Sequence, residues 1–151
     1  MRTIGVISDT HGLLRPQALA ALRGAELIIH AGDVGGAGIL EPLAEIAPVR
    51  AVRGNVDRGT WAEDLPEREI VQLDQHLLYV LHDLGELEFD PAAAGFHAVI
   101  SGHSHRPKIE TKEDVLYCNP GSAGPRRFDL PITVGKLTIS AGKLQARIIE
   151  L

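Results

Sequence analysis

Residues 3–33, "TIGVISDTHGLLRPQALAALRGAELIIHAGD", hold two short apolar runs rich in β-branched residues on either side of a stretch of helical composition. "TIGVIS" (3–8) and "ELIIHAG" (26–32) are too short for buried helices and end in turn residues, so both read as strands. Between them "RPQALAALRG" (15–24) is rich in Ala and Leu, with Pro16 near its start and Gly24 just past its end. Strand, helix, strand is the opening of an α/β fold.

The pattern continues for one more unit and then changes. "GILEPLAEIA" (38–47) reads as a second helix that Pro42 either opens or kinks, and "VRAVRGN" (49–55) as a third strand. Beyond residue 66 the candidates are mostly strands separated by Gly, Asp or Pro turns: 69–83, 97–102, 107–121, 131–140 and 143–151. One short helix is expected in "DPAAAGF" (90–96). The first half alternates helix and strand and the second is β-rich. No repeat or linker divides them, so the expectation is a single domain over 1–151.

Composition narrows the function classes. A chain of 151 residues with 44% hydrophobic content builds one proper core. The formal net charge of −5 argues against coating nucleic acid or anionic membrane, which takes a surplus of Lys and Arg. No apolar run approaches the ~20 residues of a membrane span. The single cysteine, Cys118, excludes an internal disulfide framework and reads as a small buried residue. The expected setting is the cytoplasm, and a homo-oligomer is compatible with all of this.

The chemistry sits where strands end. The first three strand candidates run into Asp9 and His11, into Asp33, and into Asn55 and Asp57; later ones run into His82 and Asp83, and into His103 and His105 of "SGHSHRP" (101–107). Each has an ordinary structural use: Asp9 or Asp33 as helix caps, Asn55 to Asp57 as a turn, His82 as a packed histidine. Five strand ends that all offer such side chains make a pattern, because the carboxyl ends of strands are where open α/β folds gather ligands. Carboxylates, an amide and imidazoles without thiolate suit a harder divalent ion better than a cysteine-held structural zinc. Seven donors, Asp9, His11, Asp33, Asn55, His82, His103 and His105, exceed one site that must keep positions open, so two ions are expected.

The ordered set Asp9-x-His11, Gly32-Asp33, Gly54-Asn55-x-Asp57, His82 and Gly102-His103-Ser104-His105, followed by "NPGS" (119–122), resembles the calcineurin-like metallophosphoesterase superfamily. The likeness is greatest to its small prokaryotic phosphodiesterase branch. The resemblance implies a four-layer αββα sandwich with two mixed β-sheets and a dimetal site at their edge. It implies that Asp9, His11 and His105 hold one ion, that Asn55, His82 and His103 hold the other, and that Asp33 bridges. The implied activity is hydrolysis of small or nucleotide-like phosphodiesters by a hydroxide between two ions. Manganese is the expected ion, with iron, zinc, nickel and magnesium as alternatives. A phosphomonoesterase of the same fold, or a non-catalytic scaffold like the eukaryotic retromer subunit, are the other readings.

The remaining polar residues sort by context. Asn55, His82 and Asp57 are the candidate catalytic residues; Asp57 takes the place of a family histidine that assists the leaving group, or else it bonds its own turn. Asn119 and Arg127 are candidate substrate contacts. His30 reads as a packed or supporting histidine, His76 and His97 as structural or surface residues, and Trp61 as a loop aromatic that stacks on a substrate ring or covers the core. The branch often reads His-Gly-His where this chain has His82-Asp83-Leu84, which points to a change in substrate positioning.

Overall fold

A computed structural model describes residues 1–151. The chain forms β1 (Arg2–Ile7), α1 (Pro16–Leu22), β2 (Leu27–His30), α2 (Ala37–Ile46), β3 (Val49–Ala51), β4 (Arg68–Leu73), β5 (His76–Leu81), β6 (Ala98–Ile100), β7 (Lys108–Lys112), β8 (Val115–Asn119), β9 (Thr133–Ser140) and β10 (Lys143–Glu150). Two mixed five-stranded sheets result, in the orders β10-β9-β1-β2-β3 and β4-β5-β6-β8-β7. In the first, β1, β2 and β3 are parallel and β9 runs against β1; in the second, β5, β6 and β8 are parallel, with antiparallel β4 and β7 at the edges.

Three apolar layers hold this together. Ile4, Val6 and Ile29 of the first sheet meet Leu78, Val80, Ile100 and Cys118 of the second in the central core. Ala18 and Leu22 of α1 and Ile39 and Leu43 of α2 cover the outer face of the first sheet, where Trp61 also packs. Trp61 therefore covers core. The outer face of the second sheet carries Tyr79, Leu81, Val99 and Val115, packed by Leu87, Ala92 and Phe96. No α-helix lies there. The fourth layer is a 3₁₀ turn at Leu84–Glu86 and a tight turn in place of the short helix expected at 90–96. The Asp90 side chain accepts from the N–H groups of Ala92 and Ala93, and Gly95 ends the turn with φ 87° before a helix can propagate. No helix of the chain is long and apolar enough to cross a membrane.

Pro16 opens α1 as its composition predicts, but Pro42 lies inside α2. The carbonyl four residues before it belongs to Gly38, which is exposed, so losing the N–H leaves no buried acceptor without a partner. Cys118 is buried and its thiol is pushed up to about 12 by that burial, an inert core residue.

The loops after β1, β2, β3, β5 and β6, all parallel strands within their sheets, meet at one end of the sandwich. His76 and His97 lie at the other end, against each other with ring centroids 5.1 Å apart, and His97 Nδ1 accepts from the Leu77 N–H. They are structural.

Candidate metal centre

The loops after β1 and β2 run side by side: the N–H groups of Asp9, His11 and Gly12 donate to the carbonyls of Gly32, Asp33 and Val34. Asp9, His11, Asp33, His103 and His105 all have φ between 47° and 70°. Each such residue costs about 1 kcal/mol, and clusters of them mark sites where the surroundings enforce a geometry. The other left-handed non-glycine residues lie in turns and surface loops, such as Asp74 between β4 and β5 and Glu113 and Asp114 between β7 and β8.

Two groups of donors face each other, Asp9 with His11 and His105, and Asp33 with His82 and His103; within each group the donor atoms lie within 4.8 Å of one another. In the first, Asp9 Oδ1 is 3.4 Å from His105 Nε2 and 3.7 Å from His11 Nε2, and the two imidazole Nε2 atoms are 3.3 Å apart. In the second, Asp33 Oδ2 is 3.1 Å from His82 Nε2, while the rings of His82 and His103 meet edge to face at 5.2 Å. Asp33 Oδ2 also lies 3.6 Å from His11 Nε2, so one oxygen faces an imidazole of each group.

Each carboxylate is held by one oxygen and offers the other. Asp9 Oδ2 accepts from Ser8 Oγ and the His103 N–H, and Asp33 Oδ1 accepts from the Val56 N–H. The buried atoms Asp9 Oδ1 and His82 Nε2 have no hydrogen-bond partner. His82 Nδ1 is 2.7 Å from the Ala31 carbonyl, so it carries the proton and turns the Nε2 lone pair toward the centre. Converging imidazole nitrogens and unspent carboxylate oxygens are what a divalent cation satisfies. The residues present fit metal ions.

Electrostatics agree. Burial alone would push the Asp33 carboxyl up, but the adjoining His82, the Val56 N–H and the charge of His11 outweigh it and hold it at about 2. Burial works against a charged His82, yet Asp33, the Ala31 carbonyl and Asp9 raise its pKa; contact with Asp9 raises that of His11. Those protons are what an arriving cation displaces.

The sequence model of the calcineurin-like phosphoesterase superfamily domain matches residues 1–142. The chain belongs to this superfamily. It is 38% identical over 160 residues to a probable metallophosphoesterase of Methanothermobacter thermautotrophicus, covering 97% of this chain and 91% of that one. Among solved structures it is similar to YfcE, a phosphoesterase from Escherichia coli, with a TM-score of 0.69 and 26% identity over 90% of this chain and 88% of that one. It is also similar to Vps29 of Chaetomium thermophilum, with a TM-score of 0.80 and 16% identity over 100% and 97%, a likeness of fold alone. A family of metallophosphoesterases and two groups of this donor chemistry together imply divalent metal ions.

The residues singled out from sequence divide three ways. Six of the seven proposed donors converge as described, and Asn55 lies exposed at the edge, lining a cavity with His82. Arg127 is exposed, makes no ion pair, and its charge is felt by His11 and His105, which puts it at the mouth. For Asp57 the turn-bonding alternative fits the structure better than the acid, and Asn119 is a correction. The Asp57 carboxylate, 3% exposed, accepts from the N–H groups of Val34, Gly35 and Gly54, leaving no free oxygen for a leaving group. Asn119 spends both amide hydrogens on Gly102 O and Ser104 Oγ and its oxygen on the Gly121 N–H. It positions the turn that carries His103 and has nothing left for substrate.

Of the supports, sequence reasoning named only His30. A buried chain runs from the Gly32 N–H to His30 Nδ1, from His30 Nε2 to Thr10 Oγ1, and from the Thr10 hydroxyl to the Val34 carbonyl. It ties the Asp9 loop to the Asp33 loop and fixes His30 as the neutral tautomer. Ser122 Oγ donates to the Asp9 carbonyl. Gly102 is needed for space: a Cβ there would overlap Ser8 Oγ and stand 2.6 Å from Asp9 Oδ2. Beyond His30, the signal of these in the sequence was small residues beside the donors.

His30 gives a pH prediction. Full burial lowers its pKa from 6.5 to about 4, outweighing Asp9 and Asp57, which raise it. A histidine depressed on folding stabilises fully above its unfolded value and loses that contribution as the pH falls from about 6.5 toward 4. Metal-free protein should lose up to about 3 kcal/mol more over that range than His30→Gln does. Urea titrations of both at several pH values measure this; parallel curves would remove His30 from the account.

Proposed function

We propose that this chain is a dimetal phosphodiesterase acting on small or nucleotide-like diesters. The observation that supports it most is the pair of Asp-His-His groups joined through Asp33 Oδ2. Asp9, His11 and His105 would hold one ion and Asn55, His82 and His103 the other, with Asp33 shared. Bound there, two divalent ions supply Lewis-acid polarisation of the phosphoryl oxygens and a nucleophile from water at neutral pH.

The chain's own residues supply the rest. Ser8, the His103 N–H and the Val56 N–H hold the two carboxylates in place, and the Ala31 carbonyl orients His82. The unpaired guanidinium of Arg127 would draw a phosphoryl oxygen toward the mouth beside His11. With such a site the acidic net charge of −5 is no obstacle to an anionic substrate.

Protein loaded with manganese should bind about two ions per chain and hydrolyse bis-p-nitrophenyl phosphate in preference to p-nitrophenyl phosphate, with the activity lost to a chelator. Metal analysis and a turnover panel that includes cyclic nucleotides test this. One tightly bound ion at saturation would overturn the shared-carboxylate arrangement. A preference for the monoester would make the protein a phosphomonoesterase, and two ions without turnover a scaffold.

A further inference from the structure

Resting on that reading, we propose that Asp83 is a specificity-determining residue that biases the centre toward monoanionic diesters and against dianionic phosphate groups. Asp83 directly follows His82, one of the candidate ligands, in the loop that leaves β5. Its Oδ1 accepts from the Gly85 N–H at 2.9 Å, at the start of the 3₁₀ turn. That bond leaves Oδ2 facing the centre, 3.8 Å from His103 Nε2. The side chain is 34% exposed.

Asp83 is also the one residue shared by two cavities that flank the centre. One, of about 230 Å³, runs past Asn55 and His82 to Arg53 and Arg68. The other, of about 280 Å³, runs from His103 to Arg106 and Tyr117. A phosphoryl group at the centre thus has a space on either side, one for each arm of a diester. In a diester the single negative charge is shared by the two oxygens that face the ions, and the ester oxygens lead away uncharged. A monoester or inorganic phosphate carries a further charge on an oxygen that has no arm. Whichever of the two cavities that oxygen faced, the Asp83 carboxylate, which lines both, would repel it.

The surrounding cations do not cancel this charge. Arg53 is paired with Glu67 at 3.3 Å and Arg68 with Glu86 at 3.9 Å, while Lys108 and Lys112 flank Glu110 at 3.3 and 3.8 Å. Arg106, and one of the two lysines that share Glu110, are left without a carboxylate of their own, and all three are exposed, where solvent screens them more than Asp83. One extra negative charge facing a partly screened carboxylate weakens binding about tenfold.

Asp83→Asn tests this, because the amide oxygen keeps the bond to Gly85 and only the charge is lost. Metal content is measured first, then the calorimetric affinity of the manganese-loaded protein for inorganic phosphate, then the ratio of kcat/KM for p-nitrophenyl phosphate to that for bis-p-nitrophenyl phosphate. The expected result is two ions retained, phosphate bound about tenfold more tightly, and a ratio about tenfold higher. Unchanged phosphate affinity with both ions present overturns the proposal. So does loss of an ion, which would make Asp83 a ligand. Wild-type protein that turns over neither ester overturns the phosphodiesterase reading instead, while the phosphate calorimetry still decides on the charge of Asp83.

Discussion

Asp33→Ala is expected to release both ions and to lower phosphodiester hydrolysis by roughly three orders of magnitude or more. Asp33 Oδ2 lies 3.1 Å from His82 Nε2 and 3.6 Å from His11 Nε2, so removing it takes an anionic donor from both groups at once. Two ions brought close together repel each other, and a shared carboxylate is what offsets that repulsion. Alanine also lacks the local hydrogen bonding that lets Asp tolerate φ of 54°, so part of the loss would be backbone strain. Asp33→Asn separates the two effects. It keeps the acceptor for the Val56 N–H and the tolerance of that φ, and replaces the shared Oδ2 by an amide nitrogen that does not ligate. Metal analysis of both variants beside His103→Ala and His105→Ala should show two ions lost from the Asp33 variants and mainly one from each histidine variant. Asp33→Asn that retains both ions would refute sharing.

How far the sequence carried depended on whether a feature was local. Strands β1 to β3 and their intervening helices were legible because each segment announces its own period and its own stop, and the donors were legible because they fall at those stops. The stretches 69–83 and 107–121 read as strand, but their folding into the hairpins β4-β5 and β7-β8 was not legible, nor was the strand order: nothing in "PKIETKEDVLYCNPG" says that β8, and not β7, lies beside β6. The turn at 90–96 was misread because its three alanines favour helix, whereas the Asp90 side chain and Gly95 close it after one turn. Asn119 was placed against substrate because it stands in "NPGS"; its three hydrogen bonds to the 102–104 turn and Gly121 exist only once β6 and β8 pair. The left-handed conformations of five donors had no sequence signal, since Asp and His are allowed there but do not require it.

Asp57→Asn carries the same lesson to a measurable outcome. From sequence, the carboxylate two residues after Asn55 reads either as an acid for the leaving group or as a turn carboxylate bonding its own backbone; in the structure it does the second and more, clamping the loop after β2 to the loop after β3. Its Oδ1 accepts from the Gly35 N–H at 2.9 Å, and its Oδ2 from the N–H groups of Val34 at 3.1 Å and Gly54 at 2.9 Å. An amide has one acceptor. Whichever way Asn is turned, its NH₂ faces at least one backbone N–H, and in a site 3% exposed water cannot intervene. The expected cost is about 2–4 kcal/mol, from weakened charge-assisted bonds and one opposed pair of donors, which lowers Tm by roughly 5–12 °C for a chain of this size. Because Val34 and Gly54 adjoin Asp33 and Asn55, ion affinity should fall about 10- to 100-fold as well. The activity loss would then be the same for bis-p-nitrophenyl phosphate, whose leaving group needs no proton, and for an alkyl or nucleoside diester, whose leaving group does. Supplying excess manganese should restore much of the activity toward both substrates. If instead stability and metal content are untouched and only the alkyl diester slows, the proton-donor role is right and the clamp is incidental, because a missing proton is felt only where the departing oxygen cannot bear its charge.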